Sequence, residues 1–399
     1  MSDFNTTLRR IPLLRRVLIG RDVSALQHRA DATAAAIAAI AAKIDVIAAA
    51  ITEPDHKPDA PAPPPAAAPS PAPAKHAPSE QVAAQRRAML AKLECRDAFL
   101  FAEQDAAQDS FVGAFRDLIR ARVPKHRPSV EIGPSYSPTI PRADGYDVRT
   151  VDHTDRAGLV AKYEGIGVPT DKIEDVTAVW TGQKLEELLP AGAHAAVIAS
   201  HVIEHTPDFL AFLQGCGALL APDGALYLIV PDRRYSFDAF QSSSDPAKIF
   251  ADNFLKRQVH GFESVYRMAS QVYADGTMTW AQAPVSALAL TNSFNENWLP
   301  VVEDLLRKGK YVDTHGTFFT PSSFVLLIEE ARHFGRLNLA LELITRSRGA
   351  EFLAVLRPAG PRAPRPFSEM NVLRQFLYTN MLREEAERLA FLEPVLSGV

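Results

Sequence analysis

Val130-Glu131-Ile132-Gly133-Pro134-Ser135-Tyr136-Ser137-Pro138 opens the stretch that decides the fold, and that stretch runs on to Asp238. A short apolar run ends at Gly133, followed by the turn formers Pro134 and Ser135. A strand cut off by a glycine is where an open α/β sheet lets a ligand approach the backbone at the strand's carboxyl end. Nineteen residues after Gly133, VRTVDH (148–153) reads as a second strand and delivers Asp152. An acid at about that spacing is placed to accept hydrogen bonds from a ribose. HAAVIASHVIEH (194–205) reads as a further strand, and GALYLIVPD (224–232) as another after the turn Pro222-Asp223-Gly224. Apolar strands alternating with helical patterns predict a doubly wound parallel sheet that holds a nucleoside-containing ligand.

The segments EIGPSYSP (131–138), VDH (151–153) and IASHVIEHTPDFLAFLQGCGALLAPDGALYLIVPD (198–232) resemble, in order and spacing, the successive motifs of class I S-adenosylmethionine-dependent methyltransferases of the type 11 kind. The resemblance covers about residues 125–360. It implies an α/β fold with a mostly parallel, Rossmann-like sheet of seven strands, and S-adenosyl-L-methionine as cofactor. Glu131 is then implied to orient the methionine amine, and Gly133, with Pro134 and Ser135, to let the backbone approach. Asp152 is implied to bind the ribose hydroxyls, Trp180 and Thr181 to flank the adenine, and Ser200 and His201 to line the crevice. The chain departs from the family pattern at Ser135 and Ser137, where glycines are common. Its Pro-Asp-Gly turn replaces Pro-Gly-Gly, a change that still makes a tight turn.

At 399 residues and 47% hydrophobic, the chain can bury one large core plus something smaller. A net charge of −4 and a pI near 6.3 give no support to nucleic acid as a partner. Two cysteines, Cys95 and Cys216, form neither a disulfide framework nor a zinc motif, which fits a reducing, cytoplasmic setting. The basic start LRRIPLLRRVLIGR (8–21) could lie on a membrane surface, but a solvated or protein-bound helix is preferred. It lacks the apolar core and cleavage site of a signal peptide, and no run is apolar enough to span a bilayer.

Val23, Leu26, Ala30, Thr33, Ile37, Ile40, Ile44, Ile47 and Ile51 are spaced alternately by three and four, a heptad seam. Residues 1–53 are therefore expected to form a basic segment and a coiled-coil helix that assembles copies of the chain. Residues 54–80 hold ten of the thirty prolines and read as an extended Pro/Ala-rich linker, about 80 Å when stretched. A helical lead-in (81–124) precedes the catalytic domain (125–360). Within that domain, about residues 233–335 are expected to be a substrate-capping insertion, before LNLALELITRS (337–347) and AEFLAVLRP (350–358) close the sheet as an antiparallel pair. Residues 361–399 read as one amphipathic C-terminal helix. Thr206-Pro207 reads as a helix start, and the following stripe of Phe209, Phe212, Cys216 and Leu219 as core packing.

Methyl transfer from a sulfonium needs an acceptor held in line and, for an oxygen acceptor, a group to take a proton. His201, Asp232 and His260 are the candidate catalytic residues, with imidazole favoured for its near-neutral pKa. Arg233, Arg234, Tyr235 and His315 are the candidate acceptor-binding residues, the arginines because a guanidinium can clamp a phosphate or carboxylate. Salt bridges anchoring the insertion are the alternative. Glu204 and His205 have three readings: shaping the pocket by bonding the helix start, which is preferred for His205; a base; or a metal pair, resembling the Glu-His pair of ubiquinone-biosynthesis O-methyltransferases. Metal is placed last, and no metal is assigned. The expected activity is O-methylation of a small molecule or sugar. A non-catalytic, methyltransferase-like scaffold is the alternative. A nicotinamide dehydrogenase is disfavoured by the absent G-x-G-x-x-G.

Overall fold

The computed structural model describes residues 115–164, 168–280, 284–291, 295–359 and 365–397. The expected coiled coil, the linker and most of the helical lead-in lie outside the described residues. Helix α1 (Phe115–Arg122) places Phe115 and Ile119, four apart, on one buried face. It leads into strand β1 (Ser129–Ile132), buried at every position. Then follow β2 (Val148–Asp152), α2 (Arg156–Tyr163), the short β3 (Ala178–Val179), α3 (Leu185–Leu188), β4 (His194–Ser200) and α4 (Phe209–Leu219). Strand β5 (Leu220–Pro231) runs through the Pro222-Asp223-Gly224 segment, where the register against β4 shifts. The turn expected before this strand is thus an irregularity within it. A Cβ on Gly224 would lie 2.7 Å from the carbonyl oxygen of His194, so the two strands can meet there only at glycine.

Beyond β5 come α5 (Pro246–Phe254), α6 (Phe262–Tyr266), a small hairpin of β6 (Val272–Ala274) and β7 (Leu288–Leu290), α7 (Trp298–Arg307) and α8 (Pro321–His333). The chain closes with β8 (Leu339–Ile344), β9 (Glu351–Pro358) and the long helix α9 (Phe367–Ser397). The main sheet has seven strands in the order β3-β2-β1-β4-β5-β9-β8. β3, β2, β1, β4 and β5 are parallel; β9 runs antiparallel between β5 and β8. The antiparallel closing pair is the one the sequence predicts.

Both faces of the sheet are covered, so its central strands are apolar without a break. In β4, Val197 and Ala199 point into the core shared with α4 and α8, while Ala196 and Ile198 point into the core shared with α1. Helix α8 changes the expected domain boundaries. It lies inside the segment read as an insertion, yet Phe324, Leu326, Leu327 and Ile328 are wholly buried against the sheet. Its start is fixed by a capping box of Thr320 and Ser323 with Pro321 in the first turn. Only the elements before α8 are additions to the sheet's own layers. Helix α9 buries Met370, Leu373 and Leu377 in the main core, and Leu392 in a third cluster with Tyr235, Trp280 and Val285 of the insertion.

Candidate functional site

The strands proceed outward from β1 through β2 to β3, and the chain then crosses back to lay β4 on the other side of β1. That reversal opens a crevice at the carboxyl ends of β1 and β4, where ligands of doubly wound sheets bind. Gly133 leaves β1 with φ +66° and donates its N–H to the carbonyl of Val151 at 2.7 Å. A Cβ there would meet Cγ2 of Val202, beyond β4, at 2.7 Å, so the two strand ends close on each other only through a glycine. Ser135, one of the two departures from the glycine pattern, also sits in the left-handed region at φ +47°. Its N–H donates to Oδ2 of Asp152 at 3.1 Å. Ser137 is tied down by Arg116, whose Nη1 donates to its Oγ at 2.7 Å and to its carbonyl.

Asp152 ends β2 nearly buried, with its other oxygen taking the N–H and Nδ1 of His153 at 2.8 and 2.6 Å. Its carbonyl accepts from Trp180 N at 2.8 Å, which brings the Trp180-Thr181 segment to the same rim. Thr181 itself is exposed, its N–H bonded to the side chain of Gln183. Gly133, Ser135, Asp152 and Trp180 are thus gathered by backbone bonds, with the half-buried Pro134 in the turn. Glu131 is different. It is buried, and its two oxygens accept from the N–H groups of Thr139 and Ile140 at 2.6 and 3.1 Å. Burial pushes its pKa up, partly offset by those bonds. Its carboxylate holds the loop after the glycine turn.

Ser200 ends β4, half-buried and in register with Ile229. His201 follows at φ +54°, a left-handed conformation that bulky residues adopt only under constraint. Its Nε2 lies 2.7 Å from Oε2 of Glu351, and its Nδ1 lies 3.6 Å from Oε1 of Glu204. Burial works against the charged imidazole, but Glu204 and Glu351 outweigh it and push the pKa up to about 10. Set between two carboxylates, the His201 ring is favoured as a cation, which does not suit it to the expected role of base.

Glu204 sits in the short turn Ile203–His205, fully buried, and neither carboxylate oxygen accepts a hydrogen bond. The reading in which it bonds the helix start fails. The cap of α4 is Asp208, whose Oδ1 accepts from Ala211 N at 2.9 Å, while Thr206 Oγ1 donates back to the carbonyl of Ile203. Around Glu204 stand imidazoles. Nε2 of His205 is 3.9 Å and Nε2 of His315 4.0 Å from its Oε1. On the far side of each ring is another carboxylate: Asp238 Oδ2 at 2.5 Å from Nδ1 of His315, and Asp313 Oδ1 at 2.9 Å from Nδ1 of His205, the latter out of line for a hydrogen bond. The carbonyl of His205 accepts from Tyr311 Oη at 2.9 Å and from His260 Nε2 at 3.0 Å. Gly316 N donates to the Glu204 carbonyl at 2.7 Å, and a Cβ on Gly316 would strike the His260 ring at 2.6 Å. Burial lowers the His260 pKa to about 4, so that ring is neutral and braces the turn.

The residues expected to bind the acceptor divide. His315 is brought to Glu204. Arg233, Arg234 and Tyr235 are turned inward, as the alternative reading had it. Arg234 bonds Asp232 through Nε and Nη2 and reaches Glu387 of α9 at 2.5 Å. Arg233 bonds Ser243 and Glu385, and Tyr235 packs on Phe391. Asp232, expected to be catalytic, is wholly buried with both oxygens engaged by Arg234 and one by Ser347. A carboxylate so saturated is an anchor. Asp238 and Asp313, which shape the site, carry no local sequence signal: they lie 77 and 108 residues along the chain from their histidines, His315 and His205 respectively.

No protein-family model and no curated protein matches the chain. Solved structures are similar to it at low identity. A structure described as a putative zinc-dependent alcohol dehydrogenase from Rhodobacter sphaeroides is 11% identical, covers 61% of this chain and 89% of its own, and has a TM-score of 0.36. A complex of DhpI with S-adenosylhomocysteine is 17% identical over 70% of this chain and 98% of that one, with a TM-score of 0.31. An S-adenosylmethionine-dependent methyltransferase from Mesorhizobium loti is 14% identical over 60% and 96%, also with a TM-score of 0.31. The strand order and register described above define a doubly wound, Rossmann-like sheet of seven strands closed by an antiparallel pair, the fold that the resemblance to class I S-adenosylmethionine-dependent methyltransferases implies. Among the described residues, no helix is long and apolar enough to cross a membrane.

Proposed function

We propose that the chain transfers a methyl group from S-adenosylmethionine to an oxygen of a small-molecule or sugar acceptor. The observation that carries this reading is the contact of Ser135 N with the Asp152 carboxylate beside Gly133, at the reversal of the strand order. An acid held beside a glycine turn at the carboxyl ends of the strands supports a nucleoside ligand at this crevice, with Asp152 as the ribose partner. S-adenosylmethionine would be held by Gly133, Ser135 and Asp152 and would supply its methyl group at this crevice, where Glu204 and His205 follow β4 and His315 meets them from the insertion. The acceptor is met by Tyr311, Asp313 and His315, which come from the segment before α8. Direct displacement forms the oxygen–carbon bond as the sulfur–carbon bond breaks, leaving S-adenosylhomocysteine, while the acceptor's hydroxyl proton passes to water.

The test is calorimetric titration of the whole chain with S-adenosylmethionine and S-adenosylhomocysteine. Micromolar binding of both is expected. Asp152→Ala is expected to weaken it by at least about 1.5 kcal/mol, the worth of hydrogen bonds to a charged group. Unchanged affinity in that variant removes Asp152 from the site. Binding of neither ligand by the parent protein favours the scaffold reading, in which Ser135 and the Val202 side chain crowd the crevice.

A further inference from the structure

The geometry points to a binding site for a divalent first-row transition ion, zinc-like in its preferences, formed by Glu204, His205 and His315. One ligand atom from each lies within 4.8 Å of the others. Two atoms bound to one tetrahedral ion at about 2.0–2.2 Å are about 3.4 Å apart. The two Nε2–Oε1 separations, 3.9 and 4.0 Å, are about half an ångström wider than that, so the three side chains draw together around a bound ion.

Three independent features favour an ion over a proton-bonded cluster. First, Glu204 is fully buried, yet neither oxygen accepts a hydrogen bond. The nearest charged neighbour, the His201 ring, stops 3.6 Å from Oε1, and a cation bound directly at that oxygen compensates a buried carboxylate more fully than an imidazolium at that distance. Second, both histidines present Nε2 to that oxygen, with a carboxylate near each Nδ1: Asp238 hydrogen-bonded to His315, and Asp313 2.9 Å from His205 but out of line for a hydrogen bond. A carboxylate hydrogen-bonded behind an imidazole, as Asp238 is behind His315, fixes its tautomer and raises its basicity as a ligand, the usual outer partner of a metal-bound histidine. Third, the turn is held stiffly. Tyr311 and His260 bond the carbonyl of His205, and Gly316 bonds that of Glu204. Three ligands on such a frame cost little ordering when an ion binds.

Two imidazole nitrogens and one carboxylate oxygen suit zinc, iron(II), cobalt or manganese, and not magnesium or calcium, which take oxygen ligands. A set of three leaves a coordination position open. The site stands apart from the cofactor question and deepens the proposed reaction without depending on it. With methyl transfer, an acceptor hydroxyl oxygen at the open position becomes more acidic and releases its proton to water. That oxygen then takes the methyl group while the sulfonium becomes a thioether.

The test uses the full chain stripped with chelator and titrated with Zn2+ by calorimetry, with Co2+ absorption as a second readout. One equivalent is expected to bind, with visible cobalt bands and no displacement by Mg2+ at the same concentration. Glu204→Gln, close to isosteric, and His315→Ala are each expected to weaken Zn2+ binding at least 100-fold and abolish the cobalt bands. Asp238→Asn is expected to weaken it by about 10–100-fold, the effect of losing an outer-shell partner. Absence of saturable Zn2+ binding by the parent chain overturns the proposal. So does binding that is unchanged in Glu204→Gln, since the ion then sits on other histidines. S-adenosylmethionine titration of the same stripped protein keeps the two readings separate: cofactor binding without zinc binding leaves methyl transfer standing, and zinc binding without cofactor binding leaves the metal site standing.

Discussion

Ser135 shows how much one backbone angle can decide. The position calls for a residue at positive φ because the chain must turn back over Asp152 directly after Gly133, and serine occupies it at φ +47°. A left-handed conformation costs a residue with a Cβ about 1 kcal/mol relative to glycine. Ser135→Gly is therefore expected to raise unfolding stability by about 0.5–1 kcal/mol in urea melts while keeping the Asp152 bond, which uses the backbone N–H. A loss of stability would show that the Ser135 side chain does something the angle does not reveal. The turn requirement was thus legible in the sequence at Gly133, and the chain meets it at the next departure from the glycine pattern with a serine in the left-handed region. His201 carries the same signature at φ +54°, but nothing in SHVIEH announces it. Its angle follows from Glu351 and Glu204 holding the ring from opposite sides.

Among the elements, α9 is held both by the apolar residues it buries in the main core and by the segment just after β5. Arg234 and Asp232 form a buried pair, with 4% and 0% of their side chains exposed, and Arg234 extends it to Glu387. Arg233 repeats the link to Glu385, and Glu384 accepts from Ser322 at the start of α8. Removing one member of a buried, bonded pair leaves the other charge uncompensated, at a cost of about 3–5 kcal/mol. Arg234→Ala is expected to lose stability on that scale in urea or thermal unfolding, with cofactor affinity in the surviving folded protein little changed. A stability loss below about 1 kcal/mol would mean that water replaces the guanidinium, and affinity lost without stability would return Arg234 to the site. Adjacent arginines after a strand read equally well as an anion clamp or an anchor. Sequence could not choose, because the deciding acids Glu385 and Glu387 lie about 150 residues further on.

For the whole molecule, the heptad seam of residues 23–51 and the proline-rich stretch after it still predict a self-associating stalk on an extended spacer. Deleting residues 1–53 is expected to reduce the solution mass, by light scattering, to that of one chain. An unchanged oligomer would place the contacts in the methyltransferase-like domain. The sequence by itself determined the doubly wound class, the closing antiparallel pair and the meeting of Gly133 and Asp152 at one crevice, because apolar period, turn residues and strand-end acids are local and each is written within about twenty residues. Tertiary structure alone decided that α8 belongs to the core, that Arg233 and Arg234 are anchors, and that Glu204 stands among imidazoles backed by acids. Those outcomes depend on groups brought together across 75 to 150 residues of chain, and periodicity carries no information about which distant side chain will fill the space beside a buried charge.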